Sequence, residues 1–177
     1  MASERSIYNK IYQVLKIANS FKSNKSNDLR KHIEGIAPTI FKTYQYSKEL
    51  DDLNLTFSLK VLDKILLICK NLFILDDQNI ITKLGIEALD LTKFNEIVAN
   101  QIYLLFEQNG IDIEKLNIII KECFLSIPPI MPTSKIIWEI AKIEMPLFRF
   151  SQYLNILYQC NHAQVSQKKL YLLISPS

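Results

Sequence analysis

The sequence predicts a mainly α-helical protein carrying small β-hairpins and divided into two similar units. Three observations predict it. Apolar residues recur at three- and four-residue spacing over most of the chain, beginning with Ile7, Ile11, Val14, Leu15, Ala18 and Phe21. Glycine accounts for only 3 of 177 residues and proline for 6, while Ile, Leu and Lys abound, which disfavours a turn-rich sandwich. Leu72-Phe73-Ile74-Leu75, the polar Asp76-Asp77-Gln78-Asn79 and Ile80-Ile81 read as strand, tight turn and strand between two helical stretches.

The first helix carries one apolar face, with Lys10 and Lys16 outside it. Lys22 to Asn27 reads as a loop, and Asp28 can cap a short helix holding Leu29, Ile33 and Ile36. Pro38 ends that helix or starts the next element, and Ser47 to Thr56 reads as a turn. Phe57 to Asn71 places Leu59, Leu62, Ile65, Leu66 and Cys69 at helical spacing, ahead of the hairpin. Thr82 to Leu89 leads into a long helix from Leu91 to Gln108, which buries Phe94, Ile97, Val98, Ile102, Leu105 and Phe106. Asn109-Gly110 stops it.

Asp112 can cap a helix whose buried face is Leu116, Ile119, Ile120, Cys123 and Phe124, ended by Pro128-Pro129. Thr133 or Ser134 caps a helix running to about Ile143 and burying Ile136, Ile137 and Ile140. Met145-Pro146 is a turn, and Phe148 to Cys160 is helical. Val165 and Leu170 to Ile174 flank a second small hairpin with its turn at Ser166-Gln167-Lys168-Lys169. A shift of about ninety residues aligns Leu67 with Leu157, Asn71 with Asn161, Leu75 with Val165 and Ile80 with Leu170, a repeat of physical pattern. The units are therefore residues 1–90, with the basic first helix, and residues 91–177, with the bridging helix.

Hydrophobic residues make up 49% of the chain and charged residues 22%, a globular balance that excludes a disordered chain. The net charge of +3 is uneven: residues 1–48 carry nine basic against three acidic residues, leaving −3 for the rest. A basic front on a mildly acidic body suits contact with a polyanion, as it also suits a plain solvated helix face. Cys69, Cys123 and Cys160 are isolated from one another, so a zinc site is not expected. Their odd number, with no signal peptide, points to core positions in a reducing cytoplasm. No run reaches the ~20 apolar residues of a membrane span.

Lys70 to Leu89, with helix, tight hairpin and a Thr82-x-x-Gly85-x-x-Ala88-Leu89 exit, resembles the wing of the winged-helix superfamily. That resemblance implies a binding module. In a helix-turn-helix the second helix enters the major groove. On the Phe148–Cys160 helix, Gln152, Asn155 and Gln159 share one stripe, and each amide can pair bidentately with adenine. Arg149, Lys168 and Lys169 can hold phosphates, which position the module without reading sequence. An ordinary polar helix face shows the same residues. The first unit suits DNA less, because Asp76 and Asp77 sit at its turn and Asp63 lies between Lys60 and Lys64.

Catalytic constellations are not recognisable. His32 and His162 are the only histidines, Asp51-Asp52 and Asp76-Asp77 are neighbouring turn acids, and no glycine loop cradles a phosphate. The layout as a whole resembles tandem winged-helix accessory subunits of bacterial SMC-type ABC ATPases, often called kite proteins. It implies a non-enzymatic chain without cofactor that binds a protein partner such as an SMC-like ATPase and touches duplex DNA. The expectation is duplex DNA contact through the C-terminal unit, within a larger complex. A purely protein-binding subunit in DNA maintenance or phage defence is the alternative, a homodimer is compatible with either, and an enzyme completed by a partner chain ranks third.

Overall fold

A computed structural model describes residues 2–20 and 59–161. The described residues are mainly helical, as expected. They form α1 (Ala2–Ser20), α2 (Leu59–Asn71), α3 (Lys83–Ala88), α4 (Leu91–Gln108), α5 (Ile113–Leu125), α6 (Ser134–Ile140) and α7 (Leu147–Asn161). The chain divides into two compact units, Met1–Phe94 and Asn95–Ser177.

In the first unit α1 packs against α2 and α3. Ile11, Val14, Leu15 and Ala18 are buried as their spacing requires, together with Ile65, Leu66 and Cys69 of α2. Ile17 and Lys10 are buried as well, so the inward face of α1 is wider than one apolar stripe. Lys10 therefore corrects its expected place outside that face. Burial lowers the Lys10 ammonium from its ordinary value, because removal from water penalises the charged form.

The segment after α2 departs from the expected hairpin. Helix α2 ends at Asn71, but Leu72 to Leu75 do not form a strand. Their N–H groups remain engaged by the helix: Leu72 donates to Ile68 O, Phe73 to Lys70 O, and Ile74 and Leu75 both to Cys69 O. With those donors occupied, the pairing shrinks to one antiparallel bridge between Leu75 and Ile81. Asp76 N–H to Ile80 O (2.9 Å) and Thr82 N–H to Ile74 O (3.2 Å) flank that bridge. The chain does reverse at Asp76–Asn79, where the Asp76 carboxylate accepts from the N–H groups of Gln78 and Ile80. Asn79 takes the left-handed conformation (φ 62°), which asparagine tolerates better than most residues.

Phe73 adopts φ 57°. Its N–H to Lys70 O and the Ile74 N–H to Cys69 O make a Schellman helix end. The same pair of bonds closes α4 around Gly110 (φ 72°) and α6 around Lys142 (φ 52°). Each time an isoleucine follows the left-handed residue: Ile74, Ile111 and Ile143, all buried. Only Gly110 is the residue type that favours this backbone. Phe73→Gly is expected to change stability by no more than about 1 kcal/mol. Relief of the left-handed penalty of ~1–2 kcal/mol is offset by ~0.5–1 kcal/mol of added chain entropy and by loss of the buried part of a ring that is 59% exposed. A urea midpoint that moves little at unchanged slope is the confirming measurement.

Thr82 fastens the reversal to α3. Its hydroxyl donates to Phe73 O (2.6 Å) and accepts from the Gly85 N–H (3.1 Å), so one side chain caps α3 and holds the end of α2. Asp90 precedes α4, and its carboxylate accepts from the Thr92 hydroxyl (2.7 Å) and the Thr92 N–H (3.0 Å). These bonds favour the ionised form and lower the Asp90 carboxyl from its ordinary value.

The second unit buries Val98, Ile102 and Phe106 of α4 with the inner faces of α5, α6 and α7. Asp112 caps α5 by accepting from the Glu114 N–H, and Thr133 caps α6 by accepting from the Ile136 N–H. Helix α6 stops at Ile140, three residues early, because Lys142 turns left-handed. Its two turns bury Ile137 alone of the expected trio; Ile136 is half-buried and Ile140 is half-exposed. Phe124, expected inside, is 43% exposed near the end of α5. The proposed second hairpin, Val165 to Ile174, lies outside the described residues.

Candidate nucleic-acid interface and exposed apolar surface

Helix α7 owes its position to α6, against which it packs. Phe150, Tyr153, Leu154, Ile156, Leu157 and Cys160 are buried along its inner side. That inner side covers a little under half the circumference at ~100° per residue, and the amide side chains lie outside it. Gln152, Asn155 and Gln159 share one stripe there, each half-buried, and Arg149 is exposed one turn before Gln152. Helix α6, a six-residue connection from Ala141 to Pro146 and α7 thus make a helix–turn–helix pair. The Trp138 indole N–H donates to Met145 O (2.7 Å) and ties α6 to that connection. Four of the six expected DNA-contacting residues, Arg149, Gln152, Asn155 and Gln159, are brought together. Lys168 and Lys169 lie outside the described residues.

Phe148, 65% exposed beside Arg149, is an apolar neighbour that the sequence reading placed in no role. The larger omission lies between α5 and α6. Residues 123–134 contain no charged side chain. Leu125 (70%), Ile127 (99%) and Met131 (63%) project into solvent there. The loop is held from inside: the Ile130 N–H donates to Cys123 O (2.9 Å), and the Ser126 hydroxyl donates to the same carbonyl (2.8 Å). Its uncharged run was the available sequence signal, masked by reading Pro128-Pro129 only as a helix stop.

The remaining chemistry is quiet. Cys69, Cys123 and Cys160 are free and buried. Burial raises the Cys69 thiol and pushes Cys160 up to about 12, so neither supplies a thiolate near neutral pH. Among the described residues no group of three or more His, Cys, Asp or Glu could hold a metal ion. His32 and His162 lie outside them. Asp76 and Asp77 are exposed at the reversal, and no described helix is long and apolar enough to cross a membrane.

Comparison with known proteins finds no match to this chain among family models, curated proteins or solved structures.

Proposed function

We propose that the chain is a non-enzymatic binding subunit of winged-helix type, which touches duplex DNA through α7 and works inside a larger assembly. The observation that carries this reading is the single stripe of Gln152, Asn155 and Gln159 on the second helix of a helix–turn–helix pair. Three amides on one face can read adenine edges, and each good bidentate pair contributes ~1–3 kcal/mol of discrimination. Arg149, Lys168 and Lys169 supply phosphate contacts in this reading. The order of helix α2, a reversal closed by the Leu75–Ile81 bridge, and the Thr82-capped α3 supports the winged-helix likeness. The acidic Asp76-Asp77 turn, which a phosphate backbone repels, favours the C-terminal unit for DNA contact in this reading.

Duplex affinity is expected to fall steeply with salt, at a slope of about −0.9 per phosphate contact. The double variant Gln152→Ala, Asn155→Ala is expected to flatten preference among duplex sequences at near-constant nonspecific affinity. A salt-independent affinity, or a preference that survives the double substitution, removes α7 from the reading.

A purely protein-binding subunit, serving an SMC-like ATPase in DNA maintenance or phage defence, is the second reading. The exposed Leu125, Ile127 and Met131 favour it, since clustered apolar exposure marks protein contact. Light scattering of the isolated protein against an Ile127→Asp variant distinguishes a self-association face from one reserved for another chain.

A further inference from the structure

We propose that the outward face of α5 pairs with the same face of a second copy of this chain, antiparallel and about a two-fold axis. The inference is independent of the α7 reading, because it uses no residue of that helix.

Helix α5 has two sides of opposite character. Leu116, Ile119, Ile120 and Cys123 are buried and form its core row. On the other side Ile118 (57%) and Leu125 (70%) are exposed, with Lys121 and Glu122 exposed between them. At ~100° per residue these four fall within about 100° of one another, opposite the core row. A plain solvated face is polar and charged along its length. Here two large apolar side chains stand roughly 10 Å apart along the axis, at ~1.5 Å per residue, one at each end of a charged pair. Ile127 and Met131, in the uncharged loop that follows, enlarge the apolar surface beyond the helix end. Clustered apolar exposure marks a contact surface.

The order of the four residues identifies the occupant. From Ile118 to Leu125 the face reads apolar, positive, negative, apolar, and from the other end apolar, negative, positive, apolar. A second α5 laid antiparallel, with the two-fold axis passing between residues 121 and 122, sets Ile118 against Leu125 of the second copy. It also sets Lys121 against Glu122 of the second copy. Each contact then occurs twice, the exchange that an isologous interface requires. Moving the axis onto Lys121 or onto Glu122 brings like charges together, so charge fixes the register. Polyanions fit the face less well. Glu114 cancels Lys115 and Glu122 cancels Lys121, which leaves no positive excess for a phosphate backbone or an anionic lipid surface.

Sedimentation equilibrium of the full chain, loaded from about 1 µM to about 1 mM, tests this across the range of weak association. A monomer–dimer equilibrium is expected, and Leu125→Asp is expected to leave only monomer. Lys121→Glu and Glu122→Lys are each expected to weaken the dimer about tenfold or more, because one substitution creates two like-charge contacts across the axis. The double variant Lys121→Glu, Glu122→Lys exchanges the signs and is expected to restore the wild-type dissociation constant within about threefold. An effect of net charge alone moves the two single variants in opposite directions and gives no such pattern. All three positions are exposed, where substitution ordinarily leaves the fold intact. A chain that stays monomeric throughout that range overturns the proposal. So does a dimer indifferent to the single charge reversals, or one that the double exchange fails to restore.

Discussion

Phe106→Ala is expected to destabilise the second unit by about 3–5 kcal/mol, the range for removing a buried aromatic side chain. Phe106 is fully buried. Its ring lies 5.7 Å from Phe150 in a tilted arrangement and 6.4 Å from Tyr153 edge-on. It also precedes the Gly110 helix end, where its carbonyl accepts the Ile111 N–H at 2.8 Å. The backbone bond survives the substitution, so the cost is read as lost transfer energy plus cavity. Set against a typical total of ~5–15 kcal/mol, that loss brings the unit near its unfolding threshold. Trp138 is the only tryptophan and belongs to this unit, so urea titration followed by its fluorescence reports the event directly. Phe148→Ala is the control: its ring is 65% exposed, and a change within about 0.5 kcal/mol is expected. Equal losses from the two variants contradict the assignment of Phe106 to the core.

Gly85→Ala is expected to cost about 1–3 kcal/mol in the first unit, the usual penalty for overpacking. The sign is the informative part. Glycine to alanine within a helix ordinarily gains roughly 0.5–1 kcal/mol. Here a Cβ would collide with the Ile74 carbonyl oxygen and meet Ile81 Cγ1 at 2.8 Å. Both atoms belong to the reversal that Thr82 fastens, and the Ile74 carbonyl already accepts the Thr82 N–H. Backbone yields less readily than a side-chain tip, so α3 must shift and loosen its cap. Faster hydrogen exchange at the Thr82 and Ile86 amides, with a lower urea midpoint, is the expected signature. A stability gain from Gly85→Ala refutes the close approach of α3 to Ile74.

Much of the local architecture was legible in residue order. The bounds of α4 match its apolar periodicity, Asn109-Gly110 ends it, Asp112 and Thr133 cap the helices that follow, and all three cysteines are buried. Each of these depends on neighbours within about one helical turn. The shared stripe of Gln152, Asn155 and Gln159 has the same origin, because their spacing is helical. The expected hairpin is present only as a reversal with one antiparallel bridge, for a physical reason. Leu72 to Leu75 have strand-forming composition, but the Schellman end draws their N–H groups back to α2. Propensity does not reveal which carbonyl a given N–H will find.

Spacing along the chain thus determines helix positions, most caps and the inward faces, because those interactions close within a few residues. Tertiary structure alone decided the burial of Lys10 and the need for Gly85 beneath Ile74. It also decided that the uncharged loop after α5 faces solvent. These outcomes depend on which surfaces arrive from distant parts of the chain, and a periodic pattern carries no information about what a face will meet.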